Sequence, residues 1–136
     1  MGCNVMPNGL KYNGTEIRAG CGTEDRQHEN GKEVFVMIKA AFIYVAPGQD
    51  PEKQNAVIPS DDLTLYVVGC STYDQAEKEA KRLVNEGIGA IELCAGFGNE
   101  GIARIRRAVG QEIPVGAVKF DYHPAFGFKS GDELFQ

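Results

Sequence analysis

The stretch AIELCAGFGNEG, residues 90–101, decides the fold because it has the pattern of a strand, a glycine-rich turn and the start of a helix. Gly96, Gly98 and Gly101 match the spacing G-x-G-x-x-G, which lets the backbone turn tightly and lets a ligand approach it closely. The helix start that follows presents unpaired N–H groups, which attract anions. The stretch therefore predicts either a site for an anion or a tight structural turn between a strand and a helix.

Apolar strands alternate with amphipathic helices on both sides of this stretch. Strands are predicted at 37–46, 63–70, 89–94 and 113–120, helices begin after Thr72 and at Asn99, and residues 50–58 form a short helix or turn. Nearly continuous apolar strands joined by helices are typical of parallel sheets that are covered on both faces. The sequence therefore predicts an α/β fold with a small four-stranded, mostly parallel, doubly wound sheet. This sheet would be flavodoxin-like or half-Rossmann, with helices on both faces.

The first 36 residues lack this pattern. No apolar residue occurs from Thr23 to Glu33, and the codons of Lys32 to Val34 can contain a bacterial ribosome-binding sequence just before Met37. We therefore expect residues 1–33 to be a disordered or non-native extension, and residues 34–136 to form a single α/β domain. A genuine flexible arm is the alternative.

Composition excludes several classes of function. The net charge of −5 disfavours binding to nucleic acid, which needs a basic surface. The sequence has neither an apolar run long enough to span a membrane nor a signal-peptide pattern. The four cysteines are scattered, without a C-x-x-C pair. We therefore expect a cytoplasmic protein with reduced cysteines and no membrane partner.

The loops after the strands carry most of the candidate binding residues. Ligands of open parallel sheets bind beyond the carboxyl ends of the strands. The candidate ligand-binding residues are Gly48, Cys70, Ser71, Gly96, Phe97, Gly98, Asn99, Gly101 and Lys119. They predict a site for a small phosphate- or carboxylate-bearing metabolite. A dinucleotide is disfavoured because the glycine motif follows the third predicted strand rather than the first, so the cofactor stays unknown.

A second hypothesis is a cysteine-dependent enzyme. Cys94 would be the nucleophile, His123 the base and Asp121 the group that orients the base. A metal site at the strand-end cysteines and this histidine is disfavoured, because their spacing is unspecific, and no metal is predicted.

Glu92 interrupts an apolar strand, and Lys119 is its expected ion-pair partner. Whether the protein is an enzyme stays open.

A third hypothesis is a non-enzymatic structural or regulatory oligomer. A sheet of this size has two edge strands, which proteins usually cover. The carboxyl-terminal tail is rich in apolar residues that belong to no periodic element; they are Phe126, Phe128, Leu134 and Phe135. We expect them to pack on the strand-end loops or on a partner subunit, which favours a homo-oligomer, a dimer in the simplest case.

Four segments together resemble a known family. They are AAFIYVAPG, IELCAGFGNEG, IPVGAV and KSGDELF. They resemble a family of small bacterial proteins of unknown function that carries the motifs APG, ELCGGFG and KSGDELF, over about residues 37–135. Ala95 stands where that family has a glycine. The resemblance implies the bounds of the domain and implies no activity, cofactor or catalytic residue.

Overall fold

A short antiparallel hairpin lies in the amino-terminal part of the chain. In it, β1 (Leu10–Tyr12) pairs with β2 (Thr15–Ile17). The computed structural model describes these two strands and residues 38–136. The chain divides into two units, Met1–Val34 and Phe35–Gln136. The hypothesis that residues 1–33 are a disordered or non-native extension concerns residues that lie mostly outside the described ones, so it stays a prediction.

The second unit contains a sheet of five strands rather than the predicted four. In chain order they are β3 (Ile38–Val45), β4 (Asn55–Pro59), β5 (Leu63–Cys70), β6 (Ala90–Leu93) and β7 (Val115–Ala117). Their order across the sheet is β4-β5-β3-β6-β7, and every neighbouring pair is parallel except β4 with β5. The sheet is therefore mostly parallel, with one antiparallel edge.

The additional strand is β4, in the segment that was predicted to be a helix or turn. Pro51 suits the first position of a helix, but here the chain only turns before Asn55. The run Ala-Val-Ile then pairs with β5, which is an apolar strand already in the sheet. Pro59 is tolerated at the end of β4 because an edge strand needs N–H groups on one side only.

Two long helices connect the parallel strands. They are α1 (Tyr73–Asn85) and α2 (Asn99–Val109). The predicted start of α1 after Thr72 is confirmed, because the side chain of Thr72 caps this helix by accepting a hydrogen bond from the N–H of Gln75. The tail adds a 3₁₀ turn (Pro124–Phe126) and the short helix α3 (Gly131–Leu134). Among the described residues, no helix is long and apolar enough to cross a membrane.

Both long helices lie on one face of the sheet, so the prediction of helices on both faces is wrong. The crossovers from β5 to β6 and from β6 to β7 run in the same direction across the sheet, and right-handed crossovers then place their helices on the same side. The step from β3 to β5 passes through β4, which is itself a strand. Within residues 38–136, no long helix is therefore left to cover the second face. The parallel strands do have the flavodoxin-like order second-first-third-fourth, but the doubly wound arrangement of helices is absent from this unit.

The core lies between the sheet and α1 with α2. It contains Ala41, Ile43 and Val45 from β3, with Ala76, Ala80 and Leu83 from α1. The side chains that alternate with these strand residues point to the other side, which we call the open face. On β3, β4 and β5 the open face consists of Ile38, Ala40, Phe42, Tyr44, Ala56, Ile58, Leu63, Leu65 and Val67. None of these residues belongs to the core cluster.

Candidate functional site

A carboxylate of the chain itself lies at the first turn of α2. The Oδ2 atom of Asp132 accepts a hydrogen bond of 3.0 Å from the N–H of Glu100, and its Oδ1 atom accepts one of 3.0 Å from the N–H of Gly101. These are the N–H groups that the sequence assigned to an anion. The first turn of α2 therefore does bind a carboxylate, and that carboxylate comes from the tail.

Tyr73 completes the hydrogen bonding of this carboxylate. Its hydroxyl group donates to Oδ1 of Asp132 at 3.0 Å and accepts from the N–H of Gly98 at 2.9 Å. The ring of Tyr73 is fully buried and stacks on Phe97, with 5.5 Å between the ring centroids. Tyr73 is the first residue of α1, so it links the starts of both long helices to the tail.

Hydrogen bonds determine the charge of this site. Burial by itself raises the pKa of Asp132, but hydrogen bonds from the N–H groups of Glu100 and Gly101, and from Tyr73, outweigh burial and hold this pKa below its usual value of 3.8. Burial raises the pKa of Tyr73, so that its hydroxyl group stays a donor. The site therefore contains an ionised carboxylate and a neutral phenol at neutral pH.

The glycines of the motif allow this close contact. A Cβ atom on Gly98 would collide with the carboxylate of Asp132, and one on Gly101 would collide with the ring of Tyr73. On the tail side, a Cβ atom on Gly131 would collide with the carbonyl oxygen of Gly96. The approach of Asp132 and Tyr73 thus explains Gly98 and Gly101, while a Cβ atom on Gly96 would lie 2.9 Å from the carbonyl oxygen of Val45. None of these three glycines has a positive φ, so close contact rather than the turn requires them.

The tail is held over the corner by a cap and by a buried aromatic residue. Ser130 and Glu133 form a capping box, in which Ser130 accepts from the N–H of Asp132 and Glu133 accepts from the N–H of Ser130. The carbonyl oxygen of Phe135 accepts from the N–H of Tyr73 at 2.8 Å, and the ring of Phe135 is buried against Tyr73. Phe126 packs edge-on against Phe135.

The remaining apolar residues of the tail do not pack in this way. Phe128 is 72% exposed and Leu134 is 41% exposed. The expected packing on the strand-end loops therefore applies within this chain to Phe126 and Phe135 only. Packing of the other two on a partner subunit stays a prediction.

The other predicted binding residues do not converge on one point. Gly48 lies in an exposed turn after β3, with a φ of 74°, and Asn99 is exposed at the start of α2. Ser71 donates its N–H and its hydroxyl group to the side-chain oxygen of Gln75, so it supports the start of α1. Phe97 is buried in the core. Of the predicted set, the N–H groups of Gly98 and Gly101 are the ones joined to the Tyr73–Asp132 cluster by hydrogen bonds.

The three residues of the hypothetical cysteine enzyme make separate contacts. The Sγ atom of Cys94 accepts from the N–H groups of Val45 and Gly96, at 3.4 and 3.2 Å. The Nδ1 atom of His123 accepts from a backbone N–H and thereby caps the 3₁₀ turn, and its ring stacks on Phe126 at 4.0 Å. Within residues 38–136, no hydrogen bond joins the thiol to the imidazole, so the contact that would activate a nucleophile is not made there.

Lys119 pairs with Asp121 rather than with Glu92. The ammonium group of Lys119 donates to the carboxylate of Asp121, which lowers the pKa of Asp121 through that hydrogen bond. Glu92 lies exposed on the open-face side of β6. The expected ion pair between Glu92 and Lys119 is therefore wrong, because Lys119 pairs with Asp121, which is only two positions away in the chain.

The strand ends at the switch of strand order are filled by protein atoms. Cys94 follows β6 and contacts the last residue of β3, and a Cβ atom on Gly96 would lie 2.9 Å from the carbonyl oxygen of Val45.

Burial, followed by the charge of Glu79, raises the pKa of the Cys70 thiol to about 12. A shallow depression of about 210 Å³ lies elsewhere, on the open face, beside Tyr44 and Ala56. No group of three metal-binding side chains occurs in the described parts of the chain.

Sequence reasoning missed the two side chains at the centre of the site. Tyr73 is only the first residue of the helix predicted after Thr72, and Asp132 lies in the tail, for which no periodic element was predicted. The spacing Ser-x-x-Glu from Ser130 to Glu133 predicts a helix start and was available in the sequence. That signal would have placed Asp132 in the first turn of a short helix.

Comparison with known proteins identifies the family of this chain. The search of curated proteins and the search of solved structures returned no match. Residues 38–133 match the family model described as a family of unknown function (DUF6506). This range contains the five-stranded sheet, the glycine corner and Asp132, and it confirms the resemblance to a family of unknown function. The chain belongs to the DUF6506 family.

Proposed function

We propose that the domain binds a small carboxylate- or phosphate-bearing molecule at the first turn of α2, in exchange for the Asp132 carboxylate. The observation that carries this proposal is that Glu100, Gly101 and Tyr73 already direct three hydrogen bonds to a carboxylate from a remote part of the chain. Donors arranged for one carboxylate suit another of similar size, because charge-assisted hydrogen bonds depend on donor geometry.

The position of Asp132 makes an exchange physically reasonable. Asp132 lies in a helix of only four residues, and the neighbouring Glu133 and Leu134 are exposed. Displacing its carboxylate breaks hydrogen bonds at the corner but leaves Phe135 in the core. An incoming anion would therefore move one turn of the tail while the sheet and the long helices stay in place.

Competition within the chain determines the affinity. A tethered carboxylate acts at an effective concentration on the order of millimolar or higher, so a free anion must outcompete it. A ligand that makes only the same three hydrogen bonds will bind the wild-type chain weakly. The natural ligand is therefore expected to make further contacts, for which the exposed side chain of Asn99 is in position at the same corner.

Chemical rescue tests this proposal. In Asp132→Ala the three donors lose their acceptor, and the space beside Gly98 becomes free, so the melting temperature should fall. Acetate or formate replaces the missing group and should raise the melting temperature of this variant by several degrees, and phosphate or a metabolite should act similarly if it fits. Thermal unfolding with each anion, at constant ionic strength set with chloride, measures the effect.

Glu133→Ala is the matched control. It removes a carboxylate from the same short helix, but that carboxylate accepts from Ser130 and not from α2. Its melting temperature should therefore not respond to acetate beyond the effect of chloride. If Asp132→Ala responds no more than Glu133→Ala to acetate, formate and phosphate, the corner has a structural role only and the proposal is wrong.

A further inference from the structure

The open face of the sheet is a continuous apolar surface. Register pairs align Phe42 with Val67, and Val67 with Ala56, so the three neighbouring strands β3, β5 and β4 present these side chains side by side. Ile58, on the edge strand β4, is 55% exposed, and Ile38, the first residue of β3, is 50% exposed. A glycine in β5 is covered by the ring of Tyr44, which fills the gap in the surface.

The size of the open face corresponds to a protein interface. Strands about 4.8 Å apart that rise about 3.3 Å per residue give the 21 residues of β4, β5 and β3 a sheet area of about 330 Å². The largest apolar patch on a typical monomer covers roughly 300–600 Å² and is often functional. Side chains that stand off the sheet, together with the rim from β6, raise the accessible area towards the roughly 800 Å² per partner of a standard interface.

Charged side chains are absent from the centre of the open face. On β3, β4 and β5 the open face has no acidic or basic side chain, although the chain has a net charge of −5. Glu92 marks the margin on β6, where it aligns with Phe42, and Lys53 lies at the opposite margin beside Tyr44 and Ala56. An apolar centre with charge at its margins is typical of homodimer interfaces, whose cores are depleted in charged residues.

We propose that the open face binds the open face of a second copy of this chain. Two apolar sheet faces pack about 10 Å apart, and each copy would supply the layer that residues 38–136 do not themselves place on this face. A twofold arrangement needs only one self-complementary patch, and the open face is such a patch because it is apolar on both copies. This dimer is independent of anion binding, since the glycine corner lies at the carboxyl edge of the sheet.

Two neighbouring residues of β4 provide the test. Ile58 and Val57 are 55% and 54% exposed, but Ile58 aligns with Leu65 on the open face and Val57 aligns with Tyr66 on the helix side. The wild-type chain should have about twice the mass of 14.8 kDa in light scattering at roughly 100 µM. Ile58→Lys should weaken the dimer roughly 30-fold or more, because it places an unpaired charge in the interface. Val57→Lys should leave the dimer intact.

Each other outcome overturns the proposal. A wild-type chain that stays monomeric at this concentration means that something other than a second copy covers the open face. A dimer that resists Ile58→Lys uses another surface, such as the tail, and loss of the dimer in both variants indicates pairing through the β4 edge. Circular dichroism verifies that the variants fold, and Ile58→Ser repeats the test without a charge.

Discussion

At the scale of single residues, Asp132 has the largest effect on the local structure of the site. Its carboxylate satisfies N–H groups at the start of α2 that have no partner within the helix. It also places a negative charge at the positive end of the helix dipole. Because the hydroxyl group of Tyr73 donates to the same carboxylate, removal of Asp132 would leave donors from two helices without an acceptor.

The lowered pKa of Asp132 predicts a pH dependence of stability. The ionised carboxylate stabilises the fold fully above its unfolded pKa, near the usual value of 3.8, and this contribution is lost as the pH falls through the lower folded pKa. Asp132→Asn should therefore reduce the free energy of unfolding by about 2 kcal/mol at pH 7. The difference from wild type should shrink as the pH falls below about 4.

Urea unfolding of both proteins at pH 7, 5 and 3.5 measures this difference. The pKa values of Asp50 and Asp121 are also lowered, by lysine partners at the surface, but these groups are common to both proteins and cancel in the comparison. A difference between wild type and Asp132→Asn that stays constant over this range would contradict the assignment of Asp132 as the stabilising charge.

At the scale of elements, α1 and α2 are joined by Arg104. Its guanidinium group pairs with Asp74 and Glu77 of α1 and lies 5.9 Å from the centroid of the Tyr73 ring. The side chain is only 22% exposed, so these contacts are less screened by water than an ordinary surface pair. Arg104 therefore ties the two helices together on the single face that they cover.

Arg104→Ala should lower the free energy of unfolding by about 1–2 kcal/mol, from the lost ion pairs and the lost contact with the ring. Arg107 is the matched control, because it pairs within α2 with Glu100 and is 64% exposed. Arg107→Ala should change stability by less than about 0.5 kcal/mol. Equal effects of the two substitutions in urea unfolding would mean that Arg104 does not connect the helices energetically.

At the scale of the whole molecule, the carboxyl terminus closes the carboxyl edge of the sheet. The backbone of Phe135 bonds to the start of α1, while Asp132 bonds to the start of α2. The last residues of the chain therefore stabilise elements that lie 30 to 60 positions earlier. This closure makes the stability of the sheet and helices depend on the tail.

Two phenylalanines of the tail test this dependence. Phe135→Ala removes a buried ring from contact with Tyr73 and should lower the free energy of unfolding by about 3–5 kcal/mol. Phe128→Ala removes a ring that is 72% exposed and should change it by less than about 0.5 kcal/mol. Similar losses in denaturant unfolding would show that the tail does not stabilise the fold through the burial of Phe135.

Local patterns of the sequence predicted most elements of the described fold. The apolar run of β5 matches the structure, as do the start of α1 after Thr72 and the start of α2 at Asn99. The fourth predicted strand, residues 113–120, is shortened to Val115–Ala117. These features depend on periodicity, caps and turns within a few residues, so the sequence alone was sufficient for them.

The tertiary structure decided the features that depend on distant partners. β4 is a strand because β5 offers it an edge, and both helices share one face because both crossovers run the same way across the sheet. The glycine motif alone predicts only that something negative can approach the start of α2. That the group is Asp132, 31 positions from Gly101, follows from the return of the tail to this corner. No local sequence pattern predicts a contact between residues so far apart in the chain. Its energy comes from burying Phe135 and from the hydrogen bonds that the donors of both helices make to Asp132.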